Sequence, residues 1–298
     1  HGGNTLRKII DYFSHIIRVP SYYDYVLSYD KDFCKKPEEY IKKLEWLKNG
    51  VETVYDPQCD DIIRVIFMHQ FQRAKLAELV KMLSGRDFDT REFREDIIEN
   101  TYNKLYKGIE KFISEHNFKQ FTIAIKSAGF ISNKLINSNM AIDFAYALYL
   151  ILHESKEVSS SEIKRLVRRW YVLSVLTGRY SSSPESSFSK DLRQISEIGV
   201  VKTLKNIEAA ILSENFWDVQ LPQDLTNTST NNPTYLVYLA AQIYFNDVSL
   251  LSQNICIKEL IELGGDVHHI FPKQYLKDHN FEKNRYNQEA NYAYLDRP

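Results

Sequence analysis

At 298 residues, with 44% hydrophobic and 26% charged residues, the chain has the composition of a soluble globular protein with ample length for a full core. A formal net charge of -1 excludes a nucleic-acid binder held by bulk positive charge and leaves room only for a local basic face. Cys34, Cys59 and Cys256 are too far apart for a cysteine metal cluster and too few for a disulfide framework, which points to a reducing, cytoplasmic setting.

The chain opens on His1-Gly2-Gly3, which reads as a cloning remnant and suggests that a longer parent protein continues on the N-terminal side. It lacks the basic-then-apolar order of a signal peptide, and no apolar run reaches the roughly 20 residues of a membrane span. From there the pattern is helical. Leu6, Ile9, Ile10, Phe13, Ile16 and Ile17 recur at three- and four-residue spacing until Pro20. Pro37 opens a second helix, with Tyr40, Ile41, Leu44 and Leu47 as its apolar stripe and Asn49-Gly50 as its end.

One long helix is predicted over 60–84 with Gly85 as its stop, and another from a capped start at Asp89–Glu92 through Phe112. Further helices are predicted at about 118–130, 138–154, 160–177, 190–213, 234–246 and 255–263. Ser/Asn/Thr/Pro-rich breaks fall at 181–187 and 226–233. Strand-like runs occur only at the end, around 266–271 and 291–296. The fold class is therefore mainly α: a multi-helix domain over 4–262, then a small α+β element over 263–298.

The last element holds "GDVHHIFPKQYL", with His268 and His269 adjacent. On a strand the two side chains point to opposite faces, so they share a ligand only where the strand bends. Imidazole suits metal ligation when neutral and proton transfer near physiological pH. On spacing alone, chemistry and an ordinary loop both stay open. Asn287 and Asn291 follow in "YNQEANYAYLDRP", where a return strand would bring an amide beside the histidines and fix an imidazole's orientation. Turn capping is the plainer role for the two Asn residues.

These residues together resemble the HNH, or ββα-metal, nuclease module at the C-terminus of GmrSD-type proteins. Residues 162–195 and 233–252 are similar in character to the helical middle of that family. The resemblance implies an incomplete ββα-metal element here and a parent that joins a ParB-like N-terminal domain, absent from this chain, to a nuclease. The implied activity is metal-dependent cleavage of foreign or modified DNA in defence against phage. His268 corresponds to a metal ligand, His269 to the general base that activates water, and Asn291 to the residue that braces the loop and orients the base. The implied cofactor is a divalent ion (Mg, Mn, Ni or Zn). The family's second metal ligand falls after "LDR", so the resemblance implies that this chain alone cleaves poorly or not at all. Two rival functions stay open: a helical scaffold that couples a nucleotide-binding sensor to an effector, and an RNA-directed HNH-like nuclease.

A basic run, Lys164, Arg165, Arg168 and Arg169, is the candidate phosphate-binding face, with Lys273 beside the histidines. A solvated helix face is the plainer account of that run. Residues 264–298 carry five Lys/Arg and five Asp/Glu, so DNA affinity would have to come largely from elsewhere. His15, His69 and His153 are expected to be packed or surface histidines within helices, and Gly178 with its following serines a structured connection.

Overall fold

A computed structural model describes residues 54–295 apart from Asp89, Lys156, Glu157 and Gln253. The helices expected over 6–19 and from Pro37 onward, together with His15, lie outside the described residues. Among the described residues the protein is mainly helical, with thirteen α-helices and one two-stranded sheet. None of these helices is long and apolar enough to cross a membrane.

The long helix expected over 60–84 is two helices, α1 (Cys59–Phe71) and α2 (Leu76–Leu83). Gln72 ends α1 in the left-handed region at φ 53°, and its side-chain amide donates to the His69 carbonyl at 3.0 Å. That bond satisfies one of the carbonyls orphaned at the helix end, which the apolar periodicity could not signal. The next helix, α3 (Glu95–Phe112), begins later than its predicted cap. On either side of Asp89 the chain is held instead as a small turn, with Asp87 N–H donating to the Glu92 carbonyl and Arg94 N–H to the Gly85 carbonyl.

Ser114 caps α4 (Glu115–Lys126) by accepting from the Asn117 N–H. Then come α5 (Asn139–Ser155) and α6 (Ser160–Leu176), the latter capped by Ser159. The helix expected over 190–213 is α7 (Pro184–Ile198) and α8 (Val200–Ile211), divided at Gly199, whose φ of 80° is open to glycine and costly for other residues. A π-helical turn at Phe216–Gln220 leads into the short α9 (Leu221–Asp224), followed by α10 (Pro233–Tyr244) and α11 (Ile257–Glu262).

The centre of the bundle is α5. Every residue from Ala141 to Leu150 is buried, so neighbouring elements must cover the helix on all sides. It packs between α1 and α6. Tyr146 meets Phe112, Phe118 and Phe121 with ring centroids 4.7–5.6 Å apart. Phe144 stacks on Trp170 and Phe188, both at 5.4 Å. Each such fully buried large side chain contributes about 1.5–3 kcal/mol over an exposed one.

Two polar networks are set into this core. Asp143 accepts from the Tyr55 hydroxyl at 2.8 Å and faces Arg64 at 3.6 Å. Burial and the neighbouring Asp61 raise its carboxyl well above the ordinary range. Asp191 is paired with Arg179 and accepts from the Tyr180 hydroxyl at 2.8 Å, while Trp170 Nε1–H donates to Tyr180 at 2.9 Å. This second network makes the segment from Gly178 to α7 a structured connection, as its glycine and serines suggest.

The turn after α4 brings backbone against backbone. Gly129 has φ 92°, and a Cβ there would lie 1.9 Å from the Ala240 carbonyl oxygen of α10. Gly129→Ala is therefore expected to destabilise the fold by about 3 kcal/mol or more, read as a lower denaturation midpoint. An unchanged midpoint would show that α4 and α10 separate freely.

Candidate functional site

Residues 267–294 fold as β1 (Val267–His269), α12 (Lys273–Asp278), α13 (Lys283–Tyr286), a 3₁₀ turn at Glu289–Asn291, and β2 (Tyr292–Tyr294). The strands pair antiparallel, with His268 opposite Ala293 and His269 opposite Tyr292. The two short helices between the strands were not anticipated. Pro272, which cannot donate to a ladder, stops β1 and stands at the N-cap of α12.

The strand alternation puts His268 and His269 on opposite faces, as the pleat requires. His268 is exposed. His269 is partly buried, its ring edge-on to Tyr292 at a centroid distance of 5.3 Å. The His269 Nε2–H donates to Asn287 Oδ1 at 2.9 Å, and this tautomer leaves the Nδ1 lone pair as the basic position.

Asn291 acts on the backbone. Its Oδ1 accepts from the Phe271 N–H at 2.9 Å, and its Nδ2 donates to the carbonyls of Phe271 at 3.3 Å and Tyr286 at 2.9 Å. One buried amide thus ties the end of β1 to the end of α13, which sets Asn287 opposite His269. Bracing falls to Asn291 and the hydrogen bond to the imidazole falls to Asn287. The sequence signalled both amides beside the strand but not their separate partners.

Lys273 Nζ lies 5.6 Å from the Tyr286 ring centroid, a cation–π contact on the same element. His279 caps α12 and its ring bonds the Tyr275 carbonyl at 2.8 Å, so it is turned into its own helix. Among the described residues no three His, Cys, Asp or Glu side chains converge as a metal site. His268 offers one free imidazole, which does not by itself fit a divalent ion.

The basic run of α6 is divided by its partners. Arg165 donates from Nε and Nη2 to Glu162, and Arg169 is held by both oxygens of Glu208. Arg168 donates to Ser127 Oγ at 3.5 Å and lies over the Tyr244 ring. Lys164 is half-buried on the adjoining face. Elsewhere, His69 is buried in α1, its Nε2–H donating to Glu154 at 2.8 Å and its Nδ1 accepting from Gln70 at 3.0 Å. Burial lowers its pKa against the pull of Glu154, so it is a packed neutral histidine. His153 stacks on Tyr149 within α5.

Comparison with protein-family models, curated proteins and solved structures finds no match for this chain.

The element is docked on the loop 225–232. Glu289 N–H donates to the Asn227 carbonyl at 2.9 Å, the Tyr292 hydroxyl donates to the Thr228 carbonyl at 3.2 Å, and Ser249 Oγ donates to the Tyr294 carbonyl at 3.3 Å. At this joint the Glu289 side chain is 2% exposed, and neither carboxyl oxygen has a hydrogen-bond partner among the described residues. Burial pushes its pKa up to about 7, with the nearby Asp224 carboxylate adding to the rise.

Two outcomes follow. The raised carboxyl holds its proton longer in the folded chain than in the unfolded one. Its contribution is thus complete below the ordinary value of 4.5 and is lost as pH rises through about 7. Glu289→Gln should leave the melting temperature unchanged at pH 4 and raise it by roughly 2–4 °C at pH 8. A wild-type chain as stable as the variant at pH 8 would exclude the buried proton. Separately, Asn291→Ala should cost about 2 kcal/mol or more by leaving backbone groups unpaired. Its local sign is faster hydrogen exchange at the Phe271 amide, and unchanged protection there would remove Asn291 as the brace.

Proposed function

We propose that residues 263–298 belong to an HNH-like module and that the protein takes part in metal-dependent cleavage of foreign or modified DNA, as part of a GmrSD-type defence protein acting in the cytoplasm. The single observation that carries this reading is the held imidazole. His269 is anchored through Nε2 by Asn287, which fixes the direction of the opposite nitrogen. In this proposal His269 takes the proton of the attacking water, Asn287 orients it, Asn291 braces the loop between them, and His268 would be the one described side chain to hold a divalent ion, which would polarise the phosphate. The remaining ligands are not among the described residues, so no bond-breaking step is assigned to a metal here. Lys164, Arg165, Arg168, Arg169 and Lys273 are the candidate DNA contacts.

A second reading, a scaffold that transmits a signal from an N-terminal sensor, is favoured by the docking of the element onto the loop 225–232. Binding and cleavage separate the two. At millimolar Mn²⁺ the ring resonances of His268 should broaden selectively, and this should vanish in His268→Ala. Broadening that is absent or equal at His279 would remove His268 as a metal ligand.

Supercoiled plasmid with Mg²⁺, Mn²⁺ or Ni²⁺ should be nicked weakly or not at all by this chain. Any nicking that occurs should fall by about 10²–10⁴-fold in His269→Ala. Robust nicking lost in that variant would confirm the base and refute the incomplete metal site. Nicking that survives it would refute the assigned role of His269.

A further inference from the structure

The helices α6, α8 and α10 enclose a groove with a cavity volume of about 490 Å³. Its origin is local. The Gly129 backbone lies against the backbone of Ala240, and the adjoining Ala128, Ala240 and Ala241 are too short to fill the space between the helices. Val172 and Leu176 extend the apolar floor. Two aromatic side chains stand at the rim with much of their surface in solvent, Trp217 at 46% and Tyr244 at 51% exposure. A mostly apolar concavity of this size with a few polar groups at one edge has the form of a small-molecule site.

The charges at that edge define the ligand. Three guanidiniums line the groove, but Arg165 is paired with Glu162 and Arg169 with Glu208. Among the described residues no carboxylate pairs with Arg168, which reaches only Ser127 Oγ at 3.5 Å and the face of Tyr244 at 5.9 Å. One uncompensated cation beside an apolar floor complements one anionic group on an apolar body. It is a poor match for a nucleic-acid backbone, whose binding rests on several phosphates neutralised together.

The geometry points to a binding site for an amphiphile with an aromatic or acyl body and a single anionic head, seated on Ala241 and Val172, flanked by Trp217 and Tyr244, with the head on Arg168. The site takes Arg168 out of the candidate DNA face and otherwise does not depend on the nuclease reading.

Two dyes of the same ring system test it, anionic 8-anilinonaphthalene-1-sulfonate and neutral N-phenyl-1-naphthylamine, titrated into the full chain by fluorescence. Each should bind at one saturable site and accept energy from Trp217, a transfer reduced in Trp217→Phe to what Trp170 on α6 still supplies. Arg168→Gln should weaken the anionic dye by about fivefold or more while leaving the neutral dye within about twofold, since only the charge-assisted contact is lost. Ala241→Phe, at a half-buried position that tolerates a larger side chain, should weaken both by about tenfold by filling the floor. Circular dichroism confirms that each variant is folded. Absence of binding, binding indifferent to Ala241→Phe, or an Arg168→Gln effect equal for both dyes would overturn the assignment. So would a dimer in analytical ultracentrifugation that Ala241→Phe dissociates, because the groove would then seat a second copy.

Discussion

The described residues are arranged around a helix that cannot face water. With Ala141 to Leu150 buried on every side, α5 has no polar face to offer, so it is stable only when enclosed. Enclosure requires α1 and α6 on its flanks and aromatic side chains from α3, α4 and α7 in the gaps. The one carboxyl group in the buried run, Asp143, is accommodated because Tyr55 donates to it and Arg64 stands near it. A paired carboxyl at such depth acts as a register mark, since rotating α5 would leave that group in an apolar contact without partners. Asp61 and Asp143 have the chemistry of a catalytic pair, yet at 1% and 0% exposure they are closed to any substrate.

The same enclosure decides where the small C-terminal element sits. Once α10 is held against α6, the loop 225–232 is fixed in front of it, and its carbonyls become acceptors for the backbone and side chains of 289–292. A two-stranded sheet of three residues per strand is not stable by itself. Here it gains stability from Tyr292, which packs edge-on to Tyr235 of α10, and from the hydrogen bonds at the joint. The histidines are therefore positioned by the helical body at one remove. Glu289 sits at that joint with its carboxyl buried, so the docking itself is tied to proton activity.

Periodicity made α4, α5, α6 and α10 legible, because an apolar stripe records which face is covered. It failed at Gln72 and Gly199, where two apolar stripes run almost continuously while the backbone turns between them. The capping amide at Gln72 is a single side chain whose partner is one carbonyl three residues back, a signal too small to stand out from composition. The strands were visible as short apolar runs and the pairing of an Asn with the histidines was expected. Which Asn meets the imidazole depends on how residues 272–290 fold, and the two short helices there lack an apolar stripe long enough to announce them.

A strand separates neighbouring side chains, so the two adjacent histidines have different surroundings. With His269 turned toward Asn287 and Tyr292, its orientation is fixed, while His268 on the other face stays free in solvent. Asn291 is what keeps them distinct. By fastening Phe271 and Tyr286 together it holds Asn287 beside one ring only, and the alternation of the strand keeps the other ring away from both amides.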